Sequence, residues 1–348
     1  MKFMKIIEGI EGDYIETKNT HLFFDVKGLL HPNERKICFL RFVPHPKENR
    51  IKNSISFKKI YKLSDRYAFL RENYPAHLFF SKELDLEVQG VRNENIERIY
   101  SPRKFLKELI EKDQLTNGEN ISRELSEFFI SKGNLSEKSL GITGSLMVGL
   151  NNEDSDIDLI MYGTEISIEF QKTLVTILKN SKMCRNYNMD EYETHYKWRF
   201  GGSDIPFESF LKSEQRKLHQ GKYKNVYFFI RYIKSPEDWG GNFYDYQYKN
   251  YGRIKLRAEI MDSKDSIFTP CSYEICPRKI LEKPINSNNI NIKDIREIIS
   301  FRGRFCEQAR EGEIVLVEGK LEKVSFKNKQ EYFRIVLTDP LQDKLIII

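Results

Sequence analysis

The sequence lacks the features of a secreted or membrane protein. No apolar run approaches the roughly 20 residues that a membrane-spanning helix needs. No signal-peptide-like apolar core precedes the first acidic residue, Glu8. The five cysteines are an odd and scattered set, which argues against a disulfide framework. Cys271 and Cys276 form one loose pair, for which buried free thiols are the favoured interpretation and a zinc site the alternative. We therefore expect a cytoplasmic protein without membrane contact.

The composition is that of a packed protein with more than one domain. Of the 348 residues, 40% are hydrophobic and 13% aromatic, so a disordered chain is excluded. This length exceeds what one small core supports and predicts two or three domains. The net charge of +6 is compatible with a nucleic-acid partner but does not establish one.

The most informative stretch runs from Gly141 to Met161. It reads as an apolar strand, a Gly144-Ser145 turn, a short excursion and a second strand that carries Asp156 and Asp158. Residues two apart on a strand point to the same side, so the two carboxylates are predicted to lie side by side. Their repulsion would be relieved by a hard divalent cation such as Mg2+. The apolar neighbours are expected to anchor the strand in a core: Ile157, Leu159 and Met161.

The turn before the carboxylates fits a phosphate ligand. Glycine lets the backbone approach a ligand closely, exposed backbone N–H groups favour phosphate, and Ser145 adds a hydroxyl. Ten residues separate Ser145 from Asp156. The pattern is an apolar strand, Gly-Ser, about ten residues, and then Asp-x-Asp in a second apolar strand. It resembles the signature of the nucleotidyltransferase superfamily with the DNA polymerase beta type of palm. The chain looks like a predicted nucleotidyltransferase of the archaeal type.

This resemblance implies a fold and an activity. The expected class is α+β: a polymerase-beta-like palm (116–234), an N-terminal α+β domain (1–115) and a C-terminal β-rich domain resembling a small barrel (235–348). The implied reaction transfers a nucleotidyl group from a nucleoside triphosphate to a hydroxyl and releases pyrophosphate. Asp156 and Asp158 would hold Mg2+ or Mn2+, and Gly144 and Ser145 would bind the nucleotide.

The resemblance also implies a third acid on a third strand of the palm. Thr194–Phe200 reads as a strand, and the glycines after it predict a hairpin into a strand opened by Asp204. Asp204 is thus the predicted third catalytic carboxylate, and Glu208 is the second choice. A rival third strand, Val226–Ile233, carries no carboxylate and has Arg231 as its only charge. If the rival is correct, a non-catalytic protein that binds nucleotide or RNA is the alternative function.

Two further segments suggest contacts with phosphates or bases. A predicted helix from Phe207 to Gln220 carries Lys212, Arg216 and Lys217, which would guide the triphosphate or a nucleic-acid acceptor. The β-rich domain contains Phe301–Phe305, with the sequence Phe-Arg-Gly-Arg-Phe, which would give an oligonucleotide-binding barrel basic and aromatic contacts. A solvated charged face and an architectural barrel are the alternatives. RNA or DNA is therefore a candidate partner, while the sequence leaves the nucleotide, the acceptor and the oligomeric state open.

Overall fold

The chain folds into two compact units. A computed structural model describes residues 7–200, 202–284, 290–339 and 341–348. The first unit contains the chain up to Ser81, Leu86–Thr173 and Asn225–Phe243, and the second contains Lys82–Asp85, Leu174–Lys224 and Tyr244–Ile348. The first unit thus combines most of the predicted N-terminal domain with the strands around Asp158. The second combines the predicted β-rich domain with residues 174–224.

An eight-stranded sheet dominates the first unit. Its main path runs β4-β5-β3-β2-β1-β8, while β7 pairs with β3 and β6 pairs with β7. Strands β2 and β3 pair in antiparallel register. The strands are β1 (Tyr14–Thr17), β2 (Phe23–Val26), β3 (Arg35–Pro44), β4 (Arg50–Lys52), β5 (Ile55–Lys59), β6 (Leu78–Ser81), β7 (Leu86–Arg92) and β8 (Ile96–Tyr100).

Helices of the first unit begin and end close to their sequence signals. In α3, Thr116 and Glu119 form a reciprocal capping box at the amino terminus. The α5 helix follows Gly163, and its residues up to Thr173 belong to this unit. The helices are α1 (Leu63–Asn73), α2 (Pro102–Glu111), α3 (Asn117–Gly133), α4 (Gly144–Met147) and α5 (Thr164–Asn180).

Three further strands carry the Asp156–Asp158 region. These are β9 (Leu140–Ile142), β10 (Ile157–Tyr162) and β13 (Val226–Ile233). Strand β10 lies between the other two, antiparallel to β9 and parallel to β13. The prediction that a strand opened by Asp204 lies beside the acid pair is therefore wrong. The rival strand, β13, occupies that position.

The second unit contains a barrel-like sheet. Pairing follows β14-β15-β16-β18-β17 and returns from β17 to β14, while β19 pairs with β17. Only the β16–β18 pair is parallel among these described pairings. Apolar side chains such as Leu256 and Val317 fill its core. The strands are β14 (Tyr246–Asp262), β15 (Cys271–Glu282), β16 (Ile295–Ser300), β17 (Ile314–Phe326), β18 (Gln330–Val336) and β19 (Lys344–Ile347).

The rest of the second unit corrects another prediction. Thr194–Phe200, expected as a strand, forms the end of a helix, α6 (Met189–Phe200). Asn188 and Glu191 cap its start reciprocally, at 2.8 and 2.9 Å, and these caps outweigh the β-prone composition. The predicted helix from Phe207 ends early, as α7 (Phe207–Glu214). The remaining strands are β11 (Cys184–Arg185) and β12 (Gln220–Tyr223), an antiparallel pair.

The fold is thus mixed α+β, as predicted. Among the described residues, no helix combines the length and apolar character needed to cross a bilayer.

Candidate functional site

The Gly144 turn and the Asp158 carboxylate meet in the first unit. Strand β9 pairs with β10 up to Ile142, and Thr143 N–H donates to the carbonyl of Asp158 at 2.9 Å. Gly144 follows with a φ of +79°, a conformation that favours glycine. A Cβ atom here would collide with Oδ2 of Asp158 and lie 3.2 Å from its Cγ. The absence of a side chain at Gly144 is therefore what lets the carboxylate lie against the turn.

A second set of contacts joins the turn to the residue before Asp156. The hydroxyl of Ser145 lies 3.4 Å from that of Ser155, which donates to the side-chain oxygen of Asn152 at 2.7 Å. Ser145 is buried, whereas Asp156 is exposed and directly precedes β10. The segment between the two halves of the motif thus folds back and holds them together.

Strand β10 carries Asp158 among the apolar residues predicted to be buried, whereas Asp156, predicted on the same strand, directly precedes it. Ile157, Leu159 and Met161 are buried, and Asp158 is half-buried. Burial, followed by the negative charge of Asp156, raises the pKa of Asp158 to about 7. These apolar neighbours hold the strand in the core, while the carboxylate of Asp158 is close enough to Asp156 for the two charges to interact.

Cations outside the predicted set of site residues act on the charge of Asp158. Arg231, Lys59 and Arg41 each lower the pKa of Asp158. Arg231 lies on β13, two residues beyond Phe229, which is the partner of Asp158 in the pairing register. Its guanidinium donates to Glu11 at 2.7 Å. Arg41 and Lys59 lie on β3 and β5 of the eight-stranded sheet, far from the motif in sequence, so no local pattern could identify them.

The donor set fits a hard cation that also binds substrate oxygens. Asp156 and Asp158 supply carboxylate oxygens, which suit Mg2+ or Mn2+. Among the described residues, no group of three or more histidine, cysteine or acidic side chains could hold a metal ion. Two carboxylates alone leave coordination positions open for phosphate oxygens and water.

Asp204 belongs to the second unit. It lies in the loop before α7, its side chain is 72% exposed, and its carboxylate accepts from Lys344 at 2.7 Å. The ion pair with Lys344 lowers the pKa of Asp204. Glu208, the second choice, is exposed on α7. Neither residue lies on a strand, so we leave both out of the proposed site.

The predicted basic residues also belong to the second unit. Lys212 is exposed on α7. Arg216 donates to both carboxylate oxygens of Glu313, at 2.6 and 2.9 Å. Lys217 is buried, where it pairs with Glu214 at 2.8 Å and donates to the carbonyl of Arg304 at 2.6 Å. Arg216 and Lys217 thus have structural partners. The proposed nucleotide site therefore includes none of the three residues.

The Phe301–Phe305 segment is mostly part of the barrel. Phe301 is 39% exposed, but Arg304 and Phe305 are buried. Arg304 donates to the carbonyls of Asp339 and Asp343 at 3.3 and 3.1 Å. The prediction of nucleic-acid contacts is therefore wrong for Arg304 and Phe305, because the core encloses both. The cysteine prediction is confirmed in part, since all five are free thiols and all but Cys276 are buried.

Comparison with known proteins identifies a relative of similar length. The uncharacterized protein MJ1086 of Methanocaldococcus jannaschii is 28% identical over 335 residues, which cover 93% of this chain and 94% of that protein. No family model matches the chain, and no solved structure matches it. The similarity to MJ1086 extends over nearly the full length of both chains, so it does not single out either unit.

Proposed function

We propose that this protein is a metal-dependent nucleotidyltransferase that uses a nucleoside triphosphate. The observation that carries the proposal is the meeting of Gly144 with the carboxylate of Asp158, beside Asp156. A turn that lacks a side chain next to paired carboxylates can accept a triphosphate and a divalent cation together. The nearby half-buried cations fit a polyphosphate ligand.

The proposed reaction assigns each motif residue a task. Gly144 and Ser145 bind the triphosphate, and Asp156 and Asp158 hold Mg2+ or Mn2+. When bound, the metal neutralises charge on the phosphates and favours ionisation of the attacking hydroxyl. The acceptor hydroxyl gives its proton to solvent and its oxygen bonds to the α-phosphorus, the bond from that phosphorus to the bridging oxygen breaks, and pyrophosphate leaves with the electron pair. In this proposal β9, β10 and β13 form the polymerase-beta-like palm.

We propose a nucleic acid as the acceptor. The argument is the strand order of the barrel-like sheet, β14-β15-β16-β18-β17 with a return to β14 and a parallel β16–β18 pair. A five-stranded Greek-key barrel is the architecture of oligonucleotide-binding folds, which use the face of their second and third strands. Here those strands are β15 and β16. Exposed Phe301, which directly follows β16, fits stacking on a base.

A second candidate function is nucleotide binding without transfer. Strand β13 favours it, because Phe229 pairs with Asp158 in register and Arg231 lies two residues beyond, where a third carboxylate would complete a catalytic set. In this alternative the acid pair still holds a metal–nucleotide complex. Tight binding without release of pyrophosphate distinguishes the second function from the first.

The test uses the four nucleoside triphosphates labelled at the α-phosphate. Each is incubated with Mg2+ or Mn2+ and with cellular RNA, DNA or protein. We expect label transfer and pyrophosphate release by the wild type, and neither by the Asp156→Ala/Asp158→Ala double variant. The matched control is Glu153→Ala/Asp154→Ala, which removes two exposed acids from the loop just before the pair.

Two outcomes contradict the proposal. Equal transfer by the two double variants would mean that the site is assigned wrongly. Binding of a triphosphate that depends on the acid pair, without any transfer, would replace the first function by the second. Circular dichroism and thermal melting check that all variants are folded.

A further inference from the structure

One face of the eight-stranded sheet packs on the segment that follows Gly144. Aromatic side chains of this sheet form a single buried cluster with three residues of that segment, namely Met147, Val148 and Leu150. The cluster's buried aromatic members from the sheet are Tyr14, Phe23, Phe42, Phe57 and Tyr100. The N-terminal sheet therefore forms a wall next to the turn that contacts Asp158.

Two cations of this face are used to hold the segment in place. Arg50 donates through Nη1 to the carbonyl of Leu150. Lys52 donates to the carbonyl of Val148 at 2.8 Å and to the hydroxyl of Tyr100 at 3.0 Å. Because their donors end on backbone carbonyls, these two residues have a structural explanation.

Lys59 and Arg41 lie on the same face. Lys59 is the cross-strand partner of Phe42, so its side chain shares the side of the sheet on which Phe42 packs. The pairs Phe23–Phe42 and Phe24–Leu40 leave Arg41 as the extra residue of a β-bulge. Bulges redirect a side chain and are frequent beside functional sites. Here the charge of Arg41 interacts most strongly with the phenol of Tyr14, another residue of this face.

Both residues interact with the acid pair through their charges, without forming an ion pair with it. The charge of Lys59 acts on Asp158 and Asp156, and that of Arg41 acts on Asp25 and then on Asp158. Within the described part of the chain, neither Lys59 nor Arg41 makes a salt bridge, and Nε of Arg41 is buried without a hydrogen-bond partner. Other cations nearby are neutralised, since Lys27 pairs with Glu11 and Asp25 at 3.0 and 2.8 Å.

We propose that Arg41 and Lys59 bind the terminal phosphates of the nucleoside triphosphate. The inference rests on the proposed function and extends it, because it makes the N-terminal sheet part of the nucleotide site. A guanidinium and an ammonium group beside paired carboxylates suit a polyphosphate whose other oxygens bind the metal. When the bond from the α-phosphorus to the bridging oxygen breaks, the pyrophosphate keeps the electron pair, and these cations stabilise its charge.

The probes are the four nucleoside triphosphates, their monophosphates and inorganic tripolyphosphate, each with Mg2+, measured by titration calorimetry. We expect Lys59→Gln to weaken binding of triphosphates and tripolyphosphate by about tenfold or more, since it removes a charge-assisted phosphate contact. Monophosphate binding should change little. The matched control is Lys58→Gln, because Lys58 is exposed and points to the other side of β5.

Arg41 provides a second, independent test. Arg41→Gln should act like Lys59→Gln, and Arg41→Lys should recover part of the affinity because it keeps the charge. Thermal melting identifies any variant that fails to fold. If the Arg41 variants do not fold, the comparison of Lys59→Gln with Lys58→Gln tests the inference. The inference is overturned if Lys59→Gln and Lys58→Gln both bind triphosphates and tripolyphosphate as tightly as the wild type.

The same titrations separate this inference from the proposed function. Triphosphate binding that needs Asp156 and Asp158 but not Lys59 keeps the function and overturns the inference. If tripolyphosphate binding needs Lys59 but no nucleotide binding needs the acid pair, the phosphate-binding role of Lys59 is kept and the proposed function is overturned. No binding of any probe by the wild type overturns both.

Discussion

The two units of the molecule contain charge clusters of opposite character. In the second unit, the buried carboxylate of Glu214 accepts from His195, Lys217 and Gln220 at 3.0, 2.8 and 2.6 Å. In the first, the charges of Asp158 and Asp156 repel each other, and the described residues place no cation within salt-bridge distance of either. Buried charges are costly unless they are paired. A cluster whose buried charges are paired, like that of Glu214, stabilises the fold. A cluster whose acids have no cationic partner, like that of Asp158, is suited to binding a ligand.

The largest effect is expected from a substitution that breaks the paired cluster around Glu214. Glu214→Gln leaves the ammonium of Lys217 buried without its carboxylate, so we expect a loss of about 3–5 kcal/mol in the free energy of unfolding. Denaturant titration measures it, and the exposed Glu208→Gln on the same helix is the control. Nucleotide binding should be unchanged at temperatures where the variant is folded. A loss of binding by folded Glu214→Gln would contradict the structural assignment.

The next effect tests the close approach of the turn to the acid pair. Gly144→Ala forces a side chain into the left-handed region and against Asp158, so we expect about 2–4 kcal/mol of destabilisation and loss of triphosphate binding. Gly149→Ala is the matched control, because Gly149 also has a positive φ of +68° but its added Cβ would meet only Lys52, at 3.9 Å. Calorimetry should show binding by folded Gly149→Ala. Equal binding by both variants would refute the role of Gly144.

A smaller effect appears in the pH dependence of stability. Hydrogen bonds from Arg185 lower the pKa of Glu191 from 4.5 to about 2. A carboxylate whose folded pKa is depressed contributes stability above its unfolded pKa, and this contribution is lost as the pH falls from about 4.5 to 2. We expect Glu191→Gln to remove at most about 3 kcal/mol at pH 7 and to flatten the stability profile in that window.

Denaturant titrations between pH 2 and 7 measure this profile. Glu193→Gln, which changes an exposed acid on the same helix, should leave the profile unaltered. If Glu191→Gln keeps the wild-type slope between pH 4.5 and 2, the account of this cluster is wrong.

The smallest effect concerns Asp204. Its ion pair with Lys344 is on the surface, so Asp204→Asn should change the free energy of unfolding by less than about 1 kcal/mol. Metal-dependent nucleotide binding should also stay within twofold of the wild type. Abolished binding or transfer in this variant would restore Asp204 as the third acid and contradict the site proposed here.

Residues that are close in sequence made part of the site predictable. Gly144, Ser145, Asp156 and Asp158 lie within fifteen positions, and the apolar residues predicted to be buried on either side of Asp158 are buried. Arg41 could not be predicted, because its direction depends on a bulge set by pairing with β2. The position of Lys59 near the site could not be predicted either, because it depends on how the sheet packs on a segment nearly ninety residues later in the chain.

One wrong prediction concerns a segment whose sequence does carry a local signal for a helix. The composition of Thr194–Phe200 favours a strand, but Asn188 and Glu191 have the spacing of a capping box and start a helix at Met189, five residues earlier. Because that segment is helical, the neighbour of β10 had to be a strand from elsewhere, and β13 fills the position.

The most direct test of the metal–nucleotide site is an anomalous difference map from crystals grown with Mn2+ and a triphosphate that cannot transfer its nucleotidyl group. We predict a peak about 2.0–2.3 Å from carboxylate oxygens of both Asp156 and Asp158, with phosphate density against Gly144. Phosphate density away from Gly144, with no anomalous peak at the two aspartates, would contradict the account.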